Sequence, residues 1–215
     1  MAVLLLIRHA LTEMTGKRLY GQRRGIPLSD RGREQAASLA ERLSSLPIAA
    51  VFTSPLERCV ETAGAVAGRH GLEAEAMDGL LEVDYGRWTG RSFAQLRRMR
   101  GWQTMHAAPS TVRFPEGETL GEVQARAVRT LTALAERGGS RMAAVVTHGD
   151  VVRLALAHFA GVHLDLYQRM EVAPASVSVV ALADGPPRVI RVNDTGSMDD
   201  VSPRGRTGPG MKVRG

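Results

Sequence analysis

Cysteine, aromatic side chains and long apolar runs are all scarce in this sequence. A single cysteine, Cys59, among 215 residues excludes an internal disulfide framework. No stretch reaches the ~18 uninterrupted apolar residues that a membrane-spanning helix needs. The start, MAVLLLIRHA, has a short apolar run without a basic segment before it, unlike a secretory signal peptide. These absences predict a cytoplasmic protein that does not act at a membrane.

The low aromatic content also bears on the positive charge of the chain. Aromatic residues make up 4%, and no nucleic-acid-binding motif accompanies the formal charge of +6. Residues 1–35 carry seven basic and three acidic side chains, which is a local excess of positive charge. Fixed positive charge concentrates small anions around it. We therefore expect a small anionic substrate and no nucleic-acid partner.

Hydrophobic periodicity predicts an α/β fold. Short apolar or alternating runs indicate strands at 2–7, 49–53, 142–147, 176–183 and 188–193. Apolar residues at helical spacing predict helices at 31–46, 56–70, 118–137 and 151–160, the first capped by Ser29 or Asp30. Such alternation is typical of a mostly parallel sheet with helices on both faces. Residues 88–117, with Trp88 and Trp102, interrupt it as an insertion, and we expect residues 199–215 to form a disordered basic tail.

Charged and polar residues follow the ends of the predicted strands. Ligands of open α/β sheets bind outside the carboxyl ends of the strands, so these residues are candidates for one site. They come from four separate segments and comprise Arg8, His9, Arg58, Glu82, His148 and Gly149.

These residue types together suit phosphoryl transfer. Guanidinium groups offer planar forks that match phosphate oxygens. An imidazole can act as a nucleophile, and a carboxyl group can protonate a leaving alkoxide. Other nucleophiles are poorly supported: six residues after Cys59, where a cysteine phosphatase has arginine, the chain has Ala65. The sequence also contains no Walker loop, no G-x-S-x-G elbow and no H-E-x-x-H motif, which leaves a histidine nucleophile.

Six ordered motifs resemble those of the histidine phosphatase superfamily, the phosphoglycerate-mutase-like proteins. They are LIRHALTE, LSDRGREQA, TSPLERCVETA, LLEVDYGRWTG, PEGETL and VVTHGDVVR, and the similarity spans residues 3–195. The resemblance implies a three-layer α/β/α sandwich over residues 1–198, with 88–117 lying over the active site.

The resemblance also implies residue roles. His9 would be the nucleophile that forms a phosphohistidine, and Glu82 would be the general acid and base. Arg8, Arg58 and His148 would hold the phosphoryl oxygens, and the family needs no metal or other cofactor. The Gly149 amide is a further expected phosphate contact. Asp84 stays open as an alternative acid.

The first motif departs from the family pattern. Ala10 and Leu11 stand where the family usually has glycine and glutamate. The following loop often carries an asparagine and a glutamine that hold phosphate, and Thr15 and Gln22 are the candidates here. The basic residues Lys17, Arg18, Arg23 and Arg24 either cap the pocket or form a solvated face.

Three functions remain open from the sequence. We favour a phosphomonoester hydrolase of a small phosphorylated metabolite, because only 65 residues separate Glu82 from His148 and mutases of this family tend to have a longer insertion. A phosphomutase would use the same residues. A non-catalytic phospholigand-binding protein would need neither nucleophile nor acid. The strands at 176–193 offer edges for pairing in a homodimer.

Overall fold

A six-stranded sheet forms the centre of the molecule. The computed structural model describes residues 1–139, 141–182 and 185–196, without the side chain of Arg100. The strands are β1 (Ala2–Arg8), β2 (Ile48–Thr53), β3 (Ala74–Ala76), β4 (Met142–Thr147), β5 (Val177–Leu182) and β6 (Arg188–Asp194). Their order across the sheet is β3-β2-β4-β1-β5-β6.

Parallel pairing dominates this sheet. β4 pairs in parallel with β1 on one side and with β2 on the other, and β3 is parallel to β2. β5 is antiparallel to both β1 and β6, so it alone runs against the other strands. The carboxyl ends of β1, β2 and β4 therefore meet at one edge of the sheet.

Helices cover both faces of the sheet. They are α1 (Asp30–Leu43), α2 (Glu57–Arg69), α3 (Phe93–Leu96), α4 (Arg100–Ala107), α5 (Leu120–Gly138) and α6 (Gly149–Phe159). Leu5 and Ile7 of β1 pack towards α1 and α2, whereas Leu4 and Leu6 pack towards α5 and α6. This division follows from the two-residue period of a strand. The predicted three-layer α/β/α sandwich is confirmed. Within the described residues, none of the helices combines the length and apolarity needed to cross a bilayer.

Side-chain caps explain where two long helices begin. The hydroxyl of Ser29 accepts from the amide of Gly32 at the start of α1, as one of the two predicted caps. At the start of α5, Thr119 accepts from the amide of Glu122, and Glu122 accepts from the Thr119 amide in return. Each cap satisfies backbone donors that have no partner within the helix.

Residues 88–117 pack on α5 and α6 through a shared apolar cluster. Short 3₁₀ turns at Gly86–Trp88 and Pro109–Thr111 flank α3 and α4. Trp88 and Phe114 meet edge to face, with ring centroids 5.2 Å apart, and contact apolar residues of α5 and α6. Two further 3₁₀ turns lie at Asp78–Leu80 and Leu164–Arg169.

Several details differ from the sequence prediction. β3 was not predicted, because three residues of sequence AEA carry too little apolar pattern. α1 ends at Leu43 rather than at residue 46, because a turn leads from it into β2. β5 lies inside the sheet between β1 and β6, so only β6 leaves an edge for the predicted pairing in a homodimer. The predicted tail at 199–215 lies outside the described residues.

We expect Gly32→Ala to destabilise the protein. A Cβ atom at position 32 would lie 1.9 Å from the backbone oxygen of Leu11, so the loop after β1 would have to move. The cost should be about 1–3 kcal/mol in the free energy of unfolding, measured by chemical denaturation. Gly64→Ala is the matched control, because its Cβ would meet nothing within 4 Å on an exposed part of α2. That change should stabilise the fold by about 0.5–1 kcal/mol, and equal effects at both positions would contradict the analysis.

Candidate active site

The strand ends bring together residues that are distant in the chain. The amide of His9 donates to the Thr147 oxygen at 2.9 Å, so the ends of β1 and β4 are held in register. Arg58 is in the first turn of α2. The Thr147 hydroxyl donates to the Leu80 oxygen at 2.7 Å, which ties the segment before Glu82 to the same edge.

A cavity of about 480 Å³ opens over this edge. Among the predicted residues, those that line it are Arg8, His9, Thr15, Glu82 and Gly149. Arg58 and His148 are fully buried and are not among the lining residues. The charge of Arg58 nevertheless acts on His9, and the ring of His148 lies next to that of His9. Gln22 is not among the lining residues.

His9 is held as a neutral imidazole, and its second ring nitrogen has no hydrogen-bond partner among the described residues. Its Nδ1 lies 2.7 Å from the Ala10 oxygen, and a carbonyl oxygen can only accept, so Nδ1 carries the proton. Burial, followed by the charges of Arg58 and Arg8, holds the pKa of His9 well below its ordinary value. Nε2 therefore keeps its lone pair at neutral pH, as a nucleophile requires.

Two buried arginines have donors without partners. Arg8 donates from Nη1 to the Val172 oxygen at 2.7 Å, and Arg58 donates from Nη2 to the Gly21 oxygen at 2.7 Å. Within the described residues, Nε of each is buried and has no hydrogen-bond partner. Gly149 permits the close approach of Arg8, because a Cβ there would lie 3.2 Å from the Arg8 Nε. These donors suit an anionic ligand, since buried donors are rarely left unpaired.

His148 lies beside His9 with its edge towards it. The two ring centroids are 5.3 Å apart at an interplanar angle of 68°. The Nε2 of His148 shares a 2.9 Å hydrogen bond with the Ser54 hydroxyl. Burial and nearby cations, Arg58 first, lower the pKa of His148. Cys59 packs against this ring, and burial raises the pKa of its thiol, so it stays protonated.

Glu82 lines the cavity from a partly buried position and has a raised pKa. Its Oε1 accepts from the Val83 amide at 3.0 Å. Burial and the nearby Asp150 raise its pKa to about 7, against the opposing effects of the Val83 amide and the two arginines. The alternative acid, Asp84, does not line the cavity, and its Oδ1 instead accepts from the Gly86 amide at 2.9 Å.

The sequence reasoning missed a polar group beside Glu82. The Tyr85 hydroxyl donates to Asp150 Oδ2 at 2.5 Å, and Arg153 donates to Asp150 Oδ1 at 3.0 Å. All three line the cavity. Asp150 directly follows His148 and Gly149, which is a signal that could have found it. Tyr85 and Arg153 had no comparable signal, because only packing places them there.

The structure places some of the candidate residues of the loop after β1 at the cavity and others away from it. Thr15 lines the cavity, while its hydroxyl accepts from the Thr12 amide at 3.0 Å. The Gln22 side chain donates to the Glu82 carbonyl at 2.9 Å and so braces a neighbouring segment. Arg18 lines the cavity, whereas Lys17 forms an exposed ion pair with Glu13. Phosphate contact by Thr15 and Gln22 stays a prediction.

The outer wall of the cavity comes from the predicted insertion. Its residues there are largely aromatic or apolar, namely Phe93, Trp102, Met105, His106 and Phe114. His106 also shares a 2.7 Å hydrogen bond with Gln168 across the cavity wall. The organic part of a ligand would meet this wall, while its charged part would meet the floor.

Comparison with known proteins shows to which family the chain belongs. The family model described as "Histidine phosphatase superfamily (branch 1)" matches residues 4–195. The chain belongs to the histidine phosphatase superfamily. The family prediction made from the six motifs is therefore confirmed.

Individual histidine phosphatases resemble the chain over most of its length. "Phosphoserine phosphatase 1" of Hydrogenobacter thermophilus is 29% identical over 200 residues, which cover 91% of this chain and 93% of that protein. YhfR of Bacillus stearothermophilus has a TM-score of 0.85 at 28% identity, covering 90% of this chain and 98% of that one. A mycobacterial glucosyl-3-phosphoglycerate phosphatase has a TM-score of 0.80 at 25% identity, covering 89% and 98%. A longer bifunctional protein of Mycobacterium tuberculosis is 33% identical over 208 residues, covering 90% of this chain but 54% of that protein.

We expect Glu82→Gln to stabilise this histidine phosphatase at alkaline pH. The pKa of Glu82 is raised from 4.5 to about 7 in the fold, so folding favours the protonated carboxyl group. The wild type should lose stability as the pH rises from about 4.5 to about 7, and the glutamine variant should avoid this loss. The variant's advantage should grow by about 1–3 kcal/mol between pH 5 and pH 8, measured by urea unfolding. The same advantage at both pH values would contradict the raised pKa.

Proposed function

We propose that the chain is a phosphomonoester hydrolase that works through a phosphohistidine at His9. The observation that carries this proposal is a neutral His9 beside two arginines, Arg8 and Arg58. In the part of the chain that the structure describes, His9 Nε2 and the buried Nε atoms of both arginines have no hydrogen-bond partner. Binding an anion would explain the arginines alone. A neutral imidazole at the same place adds a nucleophile, which binding does not need.

In the first step, His9 Nε2 forms a bond to the phosphorus of the ester. The bond between phosphorus and the ester oxygen breaks, and the leaving oxygen takes the proton of Glu82. Arg8, Arg58, His148 and the Gly149 amide would donate to the phosphoryl oxygens as negative charge shifts among them. In the second step, Glu82 removes a proton from water, whose oxygen attacks phosphorus and releases His9 and inorganic phosphate.

The electrostatics of the site support this division of roles. A pKa of about 7 lets Glu82 give up a proton and take one back near neutral pH. The lowered pKa of His9 keeps the nucleophile unprotonated beside the two cations. The same cations supply charge complementarity for the phosphoryl group, so the proposed steps draw on side chains of this chain and need no metal.

The cavity supports a small phosphorylated metabolite as the substrate. Its volume of about 480 Å³ holds a phosphate and an organic group of modest size. The names of the relatives, a phosphoserine phosphatase and a glucosyl-3-phosphoglycerate phosphatase, support the same class. We assign the catalytic unit to residues 1–198, with 88–117 forming the wall that meets the organic group.

We expect His9→Ala to abolish hydrolysis of p-nitrophenyl phosphate and formation of the phosphoenzyme. The wild type should hydrolyse this ester without a bisphosphate primer, and acid-quenched protein should carry phosphate on His9. The activity loss in the variant should be at least ~10³-fold, because the nucleophile is gone. His158→Ala, an exposed position on α6, is the matched control and should keep full activity.

A mutase would give a different result in the same assay. Its phosphoenzyme would pass the phosphoryl group to a second substrate hydroxyl, with hydrolysis negligible by comparison. Robust transfer of phosphate between phosphoglycerates, with negligible release of inorganic phosphate, would show that the protein is a mutase and not a hydrolase. Hydrolysis that persists in His9→Ala would overturn the proposal that the reaction passes through a phosphohistidine at His9.

A further inference from the structure

The segment that carries Glu82 lacks regular backbone pairing. It follows the 3₁₀ turn Asp78–Leu80 and belongs to none of the strands or longer helices of the described chain. Carbonyl groups in such a segment need other donors, since buried backbone groups are rarely left unpaired. Here the donors are side chains. The Thr147 hydroxyl donates to the Leu80 oxygen, and Arg126 of α5 supplies most of the others.

Arg126 contacts three carbonyl oxygens of this segment at once. Its Nη1 donates to Gly79 at 3.1 Å and to Leu81 at 2.6 Å, and its Nη2 donates to Glu82 at 2.9 Å. Gln22 donates to the same Glu82 oxygen at 2.9 Å from the other side. The backbone at the proposed acid is thus held by two donors from separate parts of the fold.

Glu118 fixes the orientation of Arg126 and also forms hydrogen bonds with the segment that carries Glu82. It accepts from Arg126 Nε at 2.8 Å and from Nη2 at 3.0 Å, which is a bidentate pair. Glu118 Oε2 also accepts from the Asp84 amide, and the Glu118 amide donates to the Asp84 oxygen, both at 2.9 Å. Contacts therefore lie on both sides of Glu82 along the chain.

The Glu118–Arg126 pair lies where it can hold Glu82 in place without touching a ligand in the cavity. Neither residue lines the cavity. The side chains of Arg126 and Glu118 are 17% and 23% exposed, so solvent screens the pair less than a surface ion pair. A guanidinium with this many bonds has little freedom to move.

We infer that the Glu118–Arg126 ion pair is a positioning device that aims the carboxyl group of Glu82 at the leaving oxygen of the substrate. This inference rests on the role of general acid proposed above for Glu82. Small displacements of a positioned acid reduce proton transfer strongly. The pair should therefore matter most for substrates whose leaving group needs a proton.

The test compares two esters of similar shape, phenyl phosphate and 2,4-dinitrophenyl phosphate. Phenolate needs protonation as it leaves at neutral pH, whereas dinitrophenolate leaves as an anion. We expect Arg126→Gln to lower kcat/KM for phenyl phosphate by ~10²-fold and for the dinitrophenyl ester by less than ~10-fold. Glu82→Gln should show the same selectivity. In the Glu82→Gln background, Arg126→Gln should add little further loss, because the two residues act as a unit.

Arg42→Gln is the matched control. Arg42 forms a comparable ion pair with Asp194, at 3.1 Å and with 29% and 25% exposure, and it does not line the cavity. This variant should leave the ratio of the two kcat/KM values unchanged. Thermal unfolding of each variant shows whether the fold is retained. If Arg126→Gln does not fold, the same ratio of kcat/KM values is measured in Glu118→Gln.

The outcomes separate the inference from the proposed function. An unchanged ratio of the two esters in Arg126→Gln and Glu118→Gln, with phosphate still trapped on His9, would overturn the positioning role alone. Additive losses in the double variant would do the same. Absence of trapped phosphate on His9 in the wild type would overturn the proposed function and this inference together.

Discussion

The parallel pairing of β1 with β4 is the constraint on which the site depends. It places Arg8 opposite Thr147, so the residues that follow each strand emerge side by side. The bond from the His9 amide to the Thr147 oxygen continues this register past the strand ends. Because β2 pairs with β4 in the same direction, the turn into α2 reaches the same edge and delivers Arg58. A one-residue slip in this pairing would turn every side chain of the strand to the other face.

Burial, together with the charges of Arg58 and Arg8, determines the protonation states at this edge. Burial, followed by the charges of Arg58 and Arg8, lowers the pKa of His9, and burial followed by Arg58 lowers the pKa of His148. The same two cations oppose the rise in the pKa of Glu82 that burial and Asp150 cause. The result is a neutral imidazole, a weakly acidic carboxyl group and, within the described residues, guanidinium Nε donors without partners at the same edge of the sheet. Such a set is costly for folding and suited to a doubly charged phosphoryl group.

The proposed acid, Glu82, is held differently from the proposed nucleophile, His9. His9 follows a central strand whose backbone pairs on both sides, with β4 and β5. Glu82 lies on an irregular segment, and side chains of Arg126, Gln22 and Thr147 satisfy its carbonyl groups. Precise placement of a catalytic group on a loop requires such support, because loops are otherwise the more mobile parts of a fold.

The sequence by itself determined the long strands and helices and the central residues. Apolar runs ending in Arg8, His9 and His148 predicted both the strands and the site, because strand ends in α/β sheets face ligands. Tertiary structure alone decided which side chains brace them. Contacts between distant segments produce the hydrogen bonds that Gln22 and Arg126 donate to the Glu82 carbonyl oxygen. They also place β5 inside the sheet. Local periodicity carries no information about such contacts, since it reports only which face of an element is buried.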